Sequence, residues 1–236
     1  MLRVEKLDVS IDASRILREV TLEVGARELV CLVGRNGAGK TTSLRTIMGY
    51  RRPDRGVIDF KGQSLVGRPT HVIAALGIGF SPEESAIFGD LTVAENIEIA
   101  TWTRRTGRPG PERVALAYEV FPRLKAYAAR GGTQLSGGER KMLSIARALA
   151  LDPELLLLDE PFEGLSPAII PSISESIAAI TRLGHAILIS ESNIHHVPEY
   201  ASRLYVLERG EIIFAGTPQD ARRDAAVLRV IGGQAS

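Results

Sequence analysis

The feature that most constrains this fold is an eight-residue segment matching the phosphate-binding pattern G-x-x-x-x-G-K-[ST]. Its residues are Gly34, Arg35, Asn36, Gly37, Ala38, Gly39, Lys40 and Thr41, and Thr42 follows directly. An apolar run over residues 28–33 precedes the segment, and a helix-forming run over residues 40–48 follows it. Buried strand, glycine loop and helix in this order form the context that the pattern requires.

The residue types of this loop suit a phosphate group. Glycines let the backbone curve closely enough for its N–H groups to point at phosphate oxygens, and the helix N-terminus adds partial positive charge. Lys40 is expected to reach the β- and γ-phosphates, and the hydroxyl of Thr41 is expected to bind Mg²⁺. A plain glycine turn between strand and helix is the alternative, but it does not account for every motif position being filled. The sequence therefore predicts a nucleoside triphosphate site.

Composition excludes several other classes of protein. The 236 residues are 44% hydrophobic and 24% charged, and the formal net charge of +1 gives no signal for nucleic acid or anionic lipid. Cys31 is the only cysteine, so no intramolecular disulfide is expected and a reducing compartment fits. No apolar run approaches the roughly 18–20 residues that span a bilayer, and the first residues mix charges where a signal peptide has an apolar core. We therefore expect a cytoplasmic protein that reaches a membrane only through partners.

Hydrophobic periodicity predicts an α/β chain that carries a helical insert. Strands are expected over residues 2–9, 16–24, 57–60, 77–80, 154–158 and 186–189, and residues 204–207 and 211–214 are expected to form a hairpin about Arg209-Gly210. Helices are expected over residues 69–76, 93–100, 112–124, 134–149, 167–183, 193–201 and 218–231. The insert begins at Ser81 and is helical for roughly fifty residues. Its arginines at 104, 105 and 108 are interpreted as a solvated basic tip.

A second motif lies about 120 residues after the glycine loop. Four leucines, 155–158, precede Asp159 and Glu160, which is the Walker B pattern. Asp159 is expected to hold Mg²⁺ through water, and Glu160 is expected to polarise the attacking water as a general base. A buried strand that ends in a solvated acidic turn is the alternative, and it weakens when the glycine loop is considered with it.

The third motif discriminates between classes of P-loop protein. Leu135, Ser136, Gly137, Gly138 and Glu139 supply a hydroxyl and glycine amides at a predicted helix N-terminus, which suits a second anion. A capped helix alone explains Ser136 but not the whole run. The segment differs by one residue from the LSGGQ signature, and with the other two motifs the chain resembles the ATP-binding cassette (ABC) proteins over essentially its whole length.

The resemblance implies the architecture and the ligands. It implies an α/β P-loop NTPase core of the ABC ATPase type, with an antiparallel β subdomain and an α-helical subdomain insert, and ATP with Mg²⁺ as cofactors. The chain is then one domain over residues 1–236. Residues 1–80 and 154–236 form the core and β subdomain, and residues 81–153 form the helical subdomain. In this family the signature, here Ser136, Gly137 and Gly138, closes on ATP held by the P-loop of a second ATPase subunit.

Within that family, the chain most resembles the ATPase subunits of branched-chain amino-acid importers. The supporting residues lie in the P-loop and in segments 82–83, 91–96, 163–167 and 210–216. The resemblance implies two ATPase subunits under two transmembrane permease subunits at the inner face of the cell membrane. It suggests a heteromeric pair without excluding a homodimer. Trp102 is either a permease contact or a core residue.

Four positions depart from the general ABC pattern. Ile11 stands where an aromatic stacks on adenine, and Arg15 is a candidate replacement through a cation–π contact. Glu83 stands where a glutamine contacts Mg²⁺, and it is expected to act as a metal ligand. Ser166 replaces the usual aspartate of the D-loop.

The fourth departure concerns the residue that normally touches the γ-phosphate. Ser192 aligns with this switch histidine, and serine is shorter and is not a general acid near neutral pH. His195 and His196 follow closely and are interpreted as ordinary helix-surface residues.

Three functions remain open from the sequence. The first is a transport ATPase for hydrophobic amino acids or a related small solute, which the intact Glu160 favours. The second is a nucleotide-gated structural subunit of a heteromeric transporter with weak hydrolysis, which Ser192 and Ile11 favour. The third is a non-transport ABC protein of DNA repair or translation, but such proteins carry coiled-coil inserts or two cassettes, which this chain lacks.

Overall fold

The computed structural model describes residues 1–231, and the last five residues of the domain expected over residues 1–236 lie outside the described residues. The strands are β1 (Leu2–Ile11), β2 (Ser14–Val24), β3 (Leu29–Val33), β4 (Arg55–Phe60), β5 (Gln63–Ser64), β6 (Ile78–Ser81), β7 (Leu155–Asp159), β8 (Ala186–Glu191), β9 (Arg203–Glu208) and β10 (Glu211–Gly216). The helices are α1 (Lys40–Ile47), α2 (Thr70–Ala75), α3 (Val93–Ala100), α4 (Gly110–Val120), α5 (Pro122–Lys125), α6 (Gly137–Ala150), α7 (Ile170–Arg182), α8 (Pro218–Ala221) and α9 (Ala225–Ile231). Short 3₁₀ turns cover Gly132–Gln134 and Ile194–His196.

The chain divides into two compact units. The first combines residues 1–70 with the residues from Ala186 onward, and the second is His71–His185. The helical insert that we expect over residues 81–153 lies within the second unit, together with β7 and α7.

The first unit contains an antiparallel sheet and a mostly parallel one. Strands in the order β2-β1-β4-β5 form the antiparallel sheet, as the alternation of apolar and polar residues predicts. In the other sheet β3 lies between β8 and β9 and is parallel to both. Every residue of β3 and β8 is buried, which explains why their sequences are apolar runs without alternation.

The hairpin expected about Arg209-Gly210 is confirmed. Strands β9 and β10 pair antiparallel, with Glu208 opposite Glu211. Both turn residues have positive φ angles, 47° at Arg209 and 84° at Gly210, as a two-residue type I′ turn requires. Gly210 has a second reason to be glycine, because a Cβ there would lie 2.1 Å from the carbonyl oxygen of Ile16.

The second unit contains a parallel strand pair and a group of helices. Strand β6 pairs with β7 in the register Ile78 to Leu155, and α6 packs against α3, α4 and β6. Gly79 permits the close approach of α6, because a Cβ at this position would lie 2.8 Å from the carbonyl oxygen of Ala148.

Proline explains two errors in the expected helices. The helix expected over residues 193–201 is wrong beyond one 3₁₀ turn, since Val197 before Pro198 is extended, with φ −70° and ψ 120°. The helix expected over residues 112–124 is interrupted at Phe121, which precedes Pro122.

Two further differences concern where helices begin. The helix expected over residues 218–231 is two helices, because the side chain of Asp224 accepts hydrogen bonds from the amides of Ala226 and Val227 and starts a new one. The helix expected over residues 167–183 begins later, at Ile170. Its second residue is Pro171, which suits a helix start because a proline there gives up no intrahelical hydrogen bond.

Candidate functional site

The phosphate-binding loop lies between β3 and α1, as predicted. Gly37 and Gly39 have φ angles of 82° and 112°, so the loop uses a left-handed backbone that side chains disfavour. Gly39 is the N-cap of α1, and its end of the helix carries no side-chain cap, so the positive end of the helix dipole faces the loop. The ammonium of Lys40 donates to the carbonyl oxygens of Gly34 (2.6 Å) and Arg35 (3.1 Å), so the lysine lies inside its own loop.

The loop is braced by neighbouring elements of the same unit. The amide of Gly34 donates to the carbonyl of Glu191 at the end of β8, over 3.1 Å. The amide of Gly210, in the β9–β10 turn, donates to the carbonyl of Ala38, over 3.0 Å. These bonds fix both halves of the loop. The structure therefore presents a preorganised ring of backbone groups.

Ser192 follows β8 directly, so it lies at the carboxyl end of the strand that braces the loop. The interpretation of His196 as a helix-surface residue is wrong. His196 is half-buried in the 3₁₀ turn, and its Nδ1 lies 3.3 Å from Oε2 of the buried Glu191. His195 is exposed on the same turn, whose first amide is capped by the side chain of Asn193.

Two other residues in this unit are interpreted from the sequence: Arg15 as a candidate contact to adenine, and Cys31 as a core residue. Arg15 donates to the carboxylate of Asp8 from Nε over 2.9 Å and also from Nη2, and this hydrogen bonding is the main reason that the pKa of Asp8 is lowered. The guanidinium of Arg15 is therefore engaged by a carboxylate in the β sheet.

Burial, with a smaller contribution from the charge of Glu191, raises the pKa of Cys31 well above its usual range. Its thiol is thus a core group, as the sequence indicates.

The Walker B residues lie in the second unit. All residues of β7 are buried, and Asp159 at its end is 1% exposed. Glu160 follows with 2% exposure and a φ angle of 46°, a left-handed backbone conformation that is unfavourable for a side chain with a Cβ. The alternative interpretation of Asp159 and Glu160 as a solvated acidic turn is therefore wrong, because both residues are buried.

The signature segment caps α6. Ser136 is the N-cap, its hydroxyl accepts from the amide of Glu139, and Oε2 of Glu139 accepts from the amide of Ser136 over 2.8 Å. This reciprocal pair is a capping box, and the hydrogen bond from the Ser136 backbone is the main cause that lowers the pKa of Glu139. Ser136 and Gly137 are exposed, whereas a Cβ on Gly138 would lie 3.0 Å from Ile169. The helix N-terminus is thus accessible from outside the chain.

Glu83 lies in the loop after β6, and its side chain is exposed. The next turn of this loop is strained, since Ser85 and Ala86 have φ angles of 64° and 40°. The loop is then fixed by Asn96, a fully buried residue of α3. Its amide oxygen accepts from the amide of Phe88, and its amide nitrogen donates to the carbonyls of Phe88, Leu91 and Thr92.

The basic tip of the helical insert was expected to be solvated, and this is wrong for two of its three arginines. Arg104 donates to the carbonyl of Asp152 and to the carboxylate of Glu154, and Arg108 pairs with Asp152. Arg105 alone is exposed, as expected. Trp102 is 73% exposed, which excludes the core-packing alternative for this residue.

The sequence interpretation did not single out Asn96 or the polar residues on the buried side of α6, Lys141 and Ser144. Lys141 gave a usable signal, because a lysine within a helix face of buried apolar residues needs a partner. Among residues 1–231, no group of three or more His, Cys, Asp or Glu side chains is arranged to hold a metal ion. No helix in this part of the chain is long and apolar enough to cross a membrane.

Comparison with known proteins decides the family. The family model described as ABC transporter matches residues 17–163. The chain belongs to the ABC transporter family. It is 36% identical over 236 residues to the lipopolysaccharide export system ATP-binding protein LptB of Haemophilus influenzae, covering 99% of this chain and 98% of that protein. It is 40% identical over 219 residues to the high-affinity branched-chain amino acid transport ATP-binding protein BraG of Pseudomonas aeruginosa, covering 92% and 93% of the two chains.

The fold comparison agrees. A solved structure of an ATP-binding subunit of an ABC transporter is 29% identical, with a TM-score of 0.82, and covers 96% of this chain and 94% of that chain. The predicted fold class is therefore confirmed as an ABC ATPase with an antiparallel sheet and a helical part. As an ABC ATPase subunit, the chain binds ATP and is an enzyme that hydrolyses it.

Proposed function

We propose that this ABC ATPase drives uptake of branched-chain (hydrophobic) amino acids through a membrane transporter. The observation that carries the proposal is the 40% identity to BraG, described as a branched-chain amino acid transport protein, over 92% of the chain. The pair Pro82-Glu83 supports it, because ATPases of that subfamily often carry glutamate at this position. Glu83 also follows β6 in an exposed loop, where a partner subunit has access to it.

We propose that the P-loop binds the phosphates of ATP. Backbone amides of the loop and the ammonium of Lys40 contact phosphate oxygens, and Lys40 exchanges the two loop carbonyls for them when ATP binds. The amides of Gly34 and Ala38 are not among these contacts, because they donate to the carbonyls of Glu191 and Arg35. The Thr41 hydroxyl and the Asp159 carboxylate are suitable Mg²⁺ ligands, and Glu83 is an additional oxygen donor. Mg²⁺ keeps several waters and uses few protein ligands, often one or two carboxylates together with phosphate oxygens. The bound ion supplies charge neutralisation on the phosphates.

We propose that Glu160 is the general base. Glu160 follows Asp159 directly at the carboxyl end of β7, and a carboxylate in that place is suited to accept a proton from the attacking water. Ser192 is the proposed γ-phosphate contact, acting through its hydroxyl, so hydrolysis depends more on Glu160 than it does where a histidine stands at this position.

The exposed N-terminus of α6 supports a partner of the same family. Ser136, Gly137 and Gly138 present a hydroxyl and helix amides outward, which suits the triphosphate bound to a second ATPase subunit. We therefore propose a dimer of ATPase subunits that attaches to transmembrane permease subunits at the cytoplasmic face of the membrane. No nucleic acid partner is proposed.

Lipopolysaccharide export is the second candidate, because the relative LptB is 36% identical over nearly its full length. Deletion of this chain in its host separates the two functions. Uptake of radiolabelled leucine, isoleucine and valine should fall to background and return with the wild-type chain but not with Glu160→Gln. Unchanged amino-acid uptake together with lipopolysaccharide retained in the inner membrane would establish the second candidate instead.

A weakly hydrolysing structural subunit is distinguished by turnover. We expect Mg-dependent ATP hydrolysis by the chain and its loss in Glu160→Gln, with ATP binding retained. If the chain binds ATP without turnover and Ser192→His restores hydrolysis, the chain is a binding subunit that needs a catalytic partner.

A further inference from the structure

The loop that carries Glu83 and the helix that carries the signature are joined by polar contacts within the second unit. Strand β6 runs along α6 in the opposite direction, so residues further along β6 meet residues earlier in α6. Gly79 lies against Ala148, since a Cβ on this glycine would come within 2.8 Å of the Ala148 carbonyl oxygen. Two residues on, Ser81 Oγ lies 2.8 Å from Ser144 Oγ.

The next contact reaches the loop itself. The ammonium of Lys141, a residue 3% exposed, donates to the main-chain carbonyl of Glu83 over 2.6 Å. Positions 141 and 144 are three residues apart and hence neighbours on the helix surface. A buried ammonium is costly unless it is hydrogen bonded, so this contact fixes both the side chain and the carbonyl.

Arg147 continues the same series on α6. Its Nη2 donates to the carbonyl of Ala86 over 2.8 Å, and its guanidinium carbon lies 4.9 Å from the ring centroid of Phe88. Three side chains spaced by three along α6 thus contact the loop region: Lys141 holds Glu83, Ser144 contacts Ser81 and Arg147 holds Ala86. We call Lys141, Ser144 and Arg147 the loop ladder.

The ladder holds a strained segment. Ser85 and Ala86 are consecutive left-handed residues, and neither is glycine. Such a backbone persists where the surroundings determine it, and relaxes where they do not. The ladder's long side chains hold the carbonyl of Glu83, two residues before this strained turn, and that of Ala86, its second residue.

We propose that Lys141 and Arg147 are positioning residues for ATP hydrolysis, which fix the Glu83–Ala86 loop to the helix bearing Ser136. The loop and the signature then move as one body. A displacement of Glu83 is transmitted to Lys141, which lies in the second turn of α6 and five residues after Ser136. Lys141 and Arg147 act by holding the Glu83–Ala86 loop in place, and neither is a catalytic residue.

The test compares Lys141→Met, which keeps the apolar stem and removes the ammonium, with Lys141→Arg, which restores a donor. Lys125→Met is the matched control, since Lys125 is exposed in the same unit. We measure hydrogen–deuterium exchange and steady-state ATP hydrolysis of the full chain. In Lys141→Met, exchange of the peptide covering residues 81–88 should rise about tenfold or more, because a hydrogen bond to a charged group is lost. The kcat should fall about tenfold and KM for ATP should stay within twofold, because the P-loop belongs to the other unit.

Lys141→Arg should restore both values, and Lys125→Met should change neither. Ser144→Ala, which leaves the helix former alanine in α6, should shift exchange and kcat in the same direction by a smaller factor, and it serves if Lys141→Met does not fold. Unchanged exchange at residues 81–88 in a folded variant would overturn the proposal. So would a parallel rise in KM, or a loss of kcat that Lys141→Arg does not restore.

Discussion

Gly34 is the P-loop residue whose side-chain size the structure restricts most. A Cβ at this position would lie 2.3 Å from the carbonyl oxygen of Leu207 and 3.1 Å from the Cβ of Ala38. Ordinary contact begins at 3.4 Å, so Gly34→Ala requires a shift of about 1 Å. Strand β9, which contains Leu207, is paired on both sides, with β3 and with β10. We therefore expect the loop to move and the strand to stay.

A shift of this size disrupts the bonds that shape the loop. The carbonyl of Gly34 accepts from Lys40 over 2.6 Å, and its amide donates to Glu191 over 3.1 Å. Hydrogen bonds that involve a charged group contribute about 1.5–3 kcal/mol. Misplacing one such contact to the triphosphate predicts a loss of ATP affinity of about tenfold to a hundredfold.

The assay is titration of the purified chain with a fluorescent ATP analogue, with circular dichroism as the check on folding. Gly67→Ala is the matched control, because Gly67 has a φ angle of 76° in the same unit and its Cβ would meet no atom within 4 Å. Gly67→Ala should lower the stability, because alanine is strained at this φ angle, and it should leave the affinity for ATP unchanged. An affinity of Gly34→Ala within twofold of wild type would refute the steric argument.

The remaining predictions concern stability. Asn96→Ala removes four hydrogen bonds from a fully buried amide and should lower the free energy of unfolding by about 3 kcal/mol, or the thermal midpoint by roughly 6–12 °C. Glu98→Ala, exposed on the same helix, should cost less than about 0.5 kcal/mol, and equal effects of the two variants would contradict the assignment. The folded-state pKa of Glu139 lies below its unfolded value, so its stabilisation is present above about pH 4 and is lost as pH falls through the folded pKa. Urea unfolding should therefore find Glu139→Gln about 0.5 kcal/mol less stable at pH 7, with the difference shrinking as pH is lowered below about 4, and a pH-independent difference would exclude a charge effect. Glu160→Gly and Glu160→Ala should both lack turnover, but the glycine variant should be about 1 kcal/mol more stable, since only alanine retains the left-handed strain. Equal stabilities of these two variants would show that Glu160 is not strained.

Local patterns predicted what local interactions decide. The run before Gly34 and the run before Asp159 are apolar because both strands are wholly buried, and the two predictions hold. The hairpin at Arg209-Gly210 also holds, because a turn with two positive φ angles has a strong sequence preference. The helix expected over residues 193–201 is wrong because Pro198 disfavours a helical backbone at Val197, which is extended.

Contacts between residues far apart in sequence were not predictable in this way. Arg104 pairs with Glu154 across fifty positions, and Lys141 reaches Glu83 across fifty-eight. A charge on an exposed loop and a charge bound by a distant carboxylate look the same in one sequence. The one local indication of such a contact was the place of Lys141 among the apolar residues of α6, because a lysine at a buried position requires an acceptor.

The unusual glutamate of the signature has a structural reason that the family pattern alone does not provide. Glu139 completes a capping box with Ser136, a role that glutamine also fills. The carboxylate adds negative charge at the N-terminus of α6, which favours the helix through its dipole. If Ser136 binds the triphosphate of a second subunit, as proposed above, the same charge opposes that approach. On that proposal, Glu139→Gln should bind nucleotide across the dimer more tightly than the wild-type chain, while the helix loses the favourable charge at its N-terminus.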